Sequence, residues 1–157
     1  MPVDEMTTVP SGFTEAFERF TGSGAWGPLA EARRDAFERF TALGLPTRKH
    51  EDWKYTNLAA LAKMNLVGAD DVEASVDADT IAPHLLEESV ADRLVFVNGR
   101  FSTALSTLRE DDSGVRVQTI ASALETDPEA IGSRLNALLS LEDNAMAALN
   151  TALFEDG

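Results

Sequence analysis

The string AFERFT occurs twice, at residues 16–21 and 36–41. Each copy sits in a stretch whose apolar residues recur at helical spacing. In the first stretch Phe13, Phe17 and Phe20 form the stripe, with Ser11 as the expected N-cap, Glu15 in the first turn, and Gly22 and Gly24 ending the helix. In the second, Pro28 suits the first helical position, because its missing N–H has no intrahelical partner there. Leu29, Ala32, Ala36, Phe37, Phe40 and Leu43 then recur at helical spacing, Gly44 is placed for a left-handed C-cap, and Pro46 blocks continuation. Two short helices with the same apolar face are predicted to pack as an antiparallel pair. One repetition is too few for a solenoid, which needs about three units.

The rest of the chain reads as an α+β arrangement, mainly helical: amphipathic helices packed with a small antiparallel sheet. Leu58, Leu61 and Ala62 predict a helix over 57–64 capped by Thr56. Residues 67–80 are acidic and small and read as a loop, with a short helix or turn over 83–90. Asn98-Gly99 lies between two β-rich runs, 93–98 and 100–107, and this dipeptide tolerates the positive φ that a type I′ hairpin demands at both central positions. Alternation groups Leu94, Phe96 and Phe101, and VRVQTI at 115–120 predicts a third strand. Asp127-Pro128 opens a helix with Ile131, Leu135, Leu138 and Leu139 as its buried face; a last helix starts near Asp143 and carries Met146, Leu149 and Leu153. Residues 1–10 read as a loose tail and 11–157 as the domain, which ends at Gly157 more like a cut than a natural terminus.

Charge narrows the function classes. With 27 acidic against 13 basic residues the net charge is -14, which disfavours nucleic acid and acidic membranes, since both require a concentrated basic face. The absence of cysteine excludes disulfides, thiolate catalysis and a cysteine-ligated cluster within this stretch. The first ten residues lack the apolar core of a secretory signal, and no apolar run reaches the roughly 18 residues of a membrane span. A cytoplasmic protein is the expectation.

Few residues invite a chemical reading. Residues 22–27, GSGAWG, match G-x-G-x-x-G, but no strand precedes them, and an interhelical loop accounts for them. His50, Glu51 and Asp52 are adjacent, so on a helix they point about 100° apart and do not converge on one ion. His84 and Glu87 do have helical spacing, yet two ligands do not make a site. Arg33-Arg34 and Arg48-Lys49 are the densest basic clusters; both read as solvated faces pairing with Glu31, Glu38 or Glu51, the alternative being contact with an anion or an acidic partner. Trp53 and Tyr55 stand in a polar segment, where they either pin the segment to the core or anchor an interface. Two histidines without a nucleophile context give no catalytic triad.

Three segments resemble one known family. GLPTRKHEDWKYTNL (44–58) is similar to a signature near the start of the SufD members of the SufB/SufD family of iron–sulfur cluster assembly proteins. RLVFVNGRFSTALS (93–106) is similar to the hairpin the family carries before its core, and LEDNAMAALNTALFEDG (141–157) to the helix leading into the first core strand. The resemblance implies a mostly helical N-terminal domain followed elsewhere by a right-handed parallel β-helix core and a C-terminal helical domain. It implies partnership with SufB and the ABC-type ATPase SufC. The family's cluster-associated and ATPase-contacting residues lie in those other parts, so no cofactor, no metal and no enzymatic activity are expected here. Arg48, Lys49, Trp53 and Tyr55 are the candidate partner contacts. Two other readings stay open: a small metal-binding or hydrolytic module using His50, His84 and carboxylates, and an acidic partner-binding module unrelated to this family.

Overall fold

The computed structural model describes residues 9–22, 29–66, 75–86, 92–108, 114, 116–135 and 137–154. Its α-helices are α1 (Ser11–Gly22), α2 (Ala30–Leu43), α3 (Ala78–Ile81), α4 (Ile120–Thr126), α5 (Pro128–Arg134) and α6 (Ala145–Leu153). A two-stranded antiparallel sheet, β1 (Phe96–Val97) and β2 (Arg100–Phe101), falls between α3 and α4. The mainly helical α+β architecture read from the sequence is the one observed.

The tightest packing joins α2 to α6, not α2 to α1. Ala145, Ala148 and Ala152 lie at spacings of three and four on α6 and are buried. Small side chains let two helix axes approach closely. Phe40 and Leu45 complete this core, with Val9, Phe13, Phe37, Leu61, Leu141 and Leu153 packed around it. The two AFERFT copies meet through their rings. Phe17 stacks on its repeat-equivalent Phe37 at 4.1 Å, and Phe13 meets Phe40 edge-on at 5.7 Å. Such aromatic pairs add about 0.5–1.5 kcal/mol each beyond burial.

Helix starts follow local capping chemistry. Asp77, Thr119, Asp127 and Asn144 each accept a hydrogen bond from the amide three residues on, relieving an unpaired donor of the first turn. At Asp77 the Thr80 hydroxyl, and after it the Thr80 amide, hold the carboxyl below its ordinary range. Ser11, expected as a cap, is instead the first residue of α1, and the Pro10 carbonyl accepts from Phe13 N–H at 3.1 Å. Gly44 closes α2 with its N–H on Phe40 O at 2.7 Å, at φ 67° and ψ 179°. That is not the left-handed helical cap expected but an extended positive-φ conformation open essentially to glycine alone.

Several expectations are corrected. Arg33, read as part of a solvated face, is only 2% exposed, while Ala32 points outward. Residues 57–64 form turns ending in a 3₁₀ turn at Leu61–Lys63 rather than the predicted helix; no side chain caps that 3₁₀ turn, and Asn57 Oδ1, not Thr56, accepts locally from Ala59 N–H at 3.0 Å. The helical turns of the acidic stretch come earlier than expected, with α3 at 78–81 running into a 3₁₀ turn at Ala82–His84, because Asp77 supplies the cap. Residues 116–119, predicted as part of a third strand, have no strand partner among the described residues and lead into α4, with Val117 left exposed. β-propensity without a neighbouring edge does not hold a strand. Helix α5 stops at Arg134, which leaves Leu138 fully exposed rather than on a buried face. The Pro28 and Gly24 readings and the glycine-rich motif beyond Gly22 lie outside the described residues.

The hairpin is tighter than the runs that suggested it. Phe96 pairs with Phe101 and Val97 with Arg100, and Asn98 and Gly99 between them both have positive φ, 51° and 81°. Beyond Phe101 the chain makes a local turn, Ser106 N–H to Ser102 O at 3.0 Å, before pairing resumes as an Arg93–Thr107 bridge. The Ser106 hydroxyl fills the gap by accepting from Val95 N–H at 2.9 Å. Alternation places Val95 and Val97 on the half-buried side, whereas Leu94 and Phe96 are exposed.

Gly12 marks a close approach. A Cβ there would lie 2.4 Å from Leu66 O and 2.8 Å from Leu66 Cβ. Backbone stands in the way, not a movable side-chain end. Gly12→Ala is therefore expected to destabilise the chain by about 1–3 kcal/mol through overpacking, although alanine is the better helix former by about 1 kcal/mol. A urea midpoint at or above that of the parent chain would show that this approach relaxes freely.

Candidate functional site

Residues 44–58 build the candidate site. After the Gly44 turn, Leu45 and Pro46 are buried and fasten the segment to the core. Tight turns then follow one another. His50 N–H donates to Thr47 O at 3.0 Å, Trp53 N–H to His50 O at 2.9 Å, and Thr56 N–H to Trp53 O at 2.9 Å, with a 3₁₀ turn at Glu51–Trp53. Thr47 N–H lies 3.0 Å from His50 Nδ1, which ties the ring back to the start of the turn.

These turns send neighbouring side chains to different places. Arg48 Nε donates to Lys54 O at 3.2 Å, and the Lys54 ammonium pairs with Glu51. Lys54 also lies 5.1 Å from the Tyr55 ring centroid, and Tyr55 is 90% exposed. Arg48 and Lys49 are exposed. Trp53 is half-buried and lines a cleft of about 750 Å³ between the 43–53 segment and the approach to α6; Ser140, Asp143, Asn144 and Ala145 form the far wall. The four residues singled out from the sequence are thus divided. Trp53 is half-buried at the cleft, whereas Tyr55, Arg48 and Lys49 are presented to solvent. Local pinning, one of the two readings of the aromatic pair, does not describe Tyr55.

The histidines are not brought together into a site. Among the described residues no three of His, Asp and Glu are placed to hold one metal ion. His50 spends Nδ1 on Thr47, His84 ends the turn after α3, and Glu87, its proposed companion, lies outside the described residues. Among the described residues no helix is long and apolar enough to cross a membrane.

What sequence reasoning missed is Arg33. Its guanidinium donates to Ala152 O at 3.4 Å and to Phe154 O, and lies 3.9 Å from the Phe20 ring centroid and 4.6 Å from that of Phe154. The available signal was its place in the stripe, four residues after Leu29 and three before Ala36.

Comparison with known proteins agrees with this organisation. Residues 13–157 match the family described as the SufBD protein N-terminal region. An iron–sulfur cluster assembly SufBD family protein of Synechocystis is 32% identical over 91 residues, 58% of this chain and 20% of that protein. The iron–sulfur cluster assembly protein SufD of Escherichia coli is 46% identical over 67 residues, 43% of this chain and 15% of that protein. The matches therefore span a fifth or less of these relatives. No solved structure matches the chain.

Proposed function

The chain belongs to the SufB/SufD family, whose N-terminal region it matches, and from that premise we propose that it is a structural and protein-interaction domain of a SufD-like subunit in iron–sulfur cluster assembly. It acts without catalytic groups, metal or cofactor of its own, in the cytoplasm, within a polypeptide that partners SufB and SufC. One observation carries the interaction role: segment 44–58, one of the three that resemble the family, is fastened inward at Leu45 and Pro46 while it presents Tyr55, Arg48 and Lys49 outward. An aromatic and an arginine on a braced turn are the residue types that anchor interfaces. Bracing also lowers the ordering cost of association.

The test is binding of the purified 157-residue chain to immobilised SufB, SufC and the other Suf proteins. Saturable binding to at least one is expected. Tyr55→Ala combined with Arg48→Glu should weaken it roughly 10-fold or more, as loss of an interface anchor does, with the thermal midpoint unchanged. Undiminished binding by the double variant would remove these residues from the interface. Binding to no Suf protein, or stoichiometric iron or zinc retained by the purified chain, would overturn the reading.

A further inference from the structure

We propose that the cleft between the 43–53 segment and the start of α6 receives a basic side chain, arginine above all, from an extended segment of a partner protein. The residues that line the cleft include the half-buried Trp53 and three acidic ones, Glu51, Asp52 and Asp143. Glu51 is occupied by Lys54, but Asp52 and Asp143 engage no protein partner among the described residues. Arg48, Lys49 and Lys54 are absent from the lining, which Lys54 reaches only through its pairing with Glu51. An aromatic surface flanked by carboxylates is the arrangement that holds a guanidinium, by cation–π attraction and charge-assisted hydrogen bonds together.

Other occupants fit less well. A compact metal ion needs converging ligands, and no three do so among the described residues. Phosphate-bearing ligands meet the wrong charge in a chain of net charge -14. An uncharged apolar ligand would leave the two free carboxylates facing it. A cleft of about 750 Å³ is in the range that encloses a small ligand, room for one or two side chains of an extended segment. Charge complementarity thus selects a basic peptide.

This inference deepens the interaction role proposed above. Its test is titration of the full 157-residue chain with an acetylated, amidated Gly-Arg-Gly-Arg-Gly peptide, followed by amide and indole NMR. Saturable shifts are expected at the Trp53 indole N–H and at the Asn144 and Ala145 amides, with a Kd of about 1 mM or tighter at low salt and weaker binding as salt rises. Asp52→Asn with Asp143→Asn should weaken binding at least fivefold; Asp52→Asn alone, on an exposed turn, covers the case in which the pair does not fold. Glu125→Gln with Glu129→Gln removes the same charge at exposed positions outside the cleft and should leave the Kd within twofold. Equal weakening by both pairs would reduce the effect to diffuse attraction and overturn the inference. So would an unmoved Trp53 indole, or zinc that shifts the same resonances stoichiometrically and displaces the peptide. Suf binding retained without peptide binding would sink this inference alone. Peptide binding with no Suf protein bound would sink only the assembly role.

Discussion

Replacing Arg33 with alanine should destabilise the chain by about 3–5 kcal/mol, a value set by three losses. The guanidinium donates to the Ala152 and Phe154 carbonyls at the end of α6. A helix leaves its last carbonyls without intrahelical partners, and each buried acceptor deprived of its donor costs about 1–3 kcal/mol. Positive charge at that end also opposes the negative pole of the helix dipole. Finally, the planar group lies against the rings of Phe20 and Phe154, worth about 0.5–2 kcal/mol per ring. In a chain of this size the total is a fall in thermal midpoint on the order of 10 °C. Arg33→Lys should recover less than half, because an ammonium does not present a fork to two carbonyls and stacks poorly. Arg34→Ala, one residue away and exposed, should change stability by no more than about 0.5 kcal/mol. Equal midpoints for Arg33→Ala and Arg34→Ala would show that Arg33 ties nothing together.

How much of this was legible in the sequence depends on the range of the interaction. Local chemistry was readable. Asp127 with Pro128 opens α5, Asn98 with Gly99 takes positive φ between paired strands, and Gly44 ends α2. Each is a contest within four residues of chain, decided by sterics or one hydrogen bond. Readings that needed a distant partner fared differently. The 115–120 run has strand-like alternation, but a strand requires a neighbouring edge, and the Thr119 side chain captures Ser122 N–H at 3.1 Å to start a helix instead. Arg33 is charged, and charge predicts solvent until the end of another helix, about 120 residues later, supplies acceptors. At the candidate site the segment itself was recognised from residues 44–58. The division of its side chains between cleft and solvent was not, because consecutive tight turns have no fixed period from which to read direction.

The second large effect tests why two identical strings meet different fates. Phe40 and Phe20 occupy the same position in the two AFERFT copies. Phe40 is wholly buried in the core that includes Ala145, Ala148 and Leu149, whereas Phe20 is half-buried beside Arg33. Phe40→Ala should therefore cost about 3–5 kcal/mol, the lost transfer energy plus an unfilled cavity against close-packed neighbours. It should also release the edge contact with Phe13. Phe20→Ala should cost about 1–2 kcal/mol, chiefly the contact with the guanidinium. The difference arises from what each copy faces. Helix α2 packs closely on the alanine stripe of α6, and the alanines themselves have no side-chain reach with which to fill the space a removed ring vacates. Urea unfolding of the two variants, read by circular dichroism with a common m-value, measures the asymmetry. Equal losses at the two positions would mean that the repeat contributes two equivalent core faces and that α6 does not organise the domain.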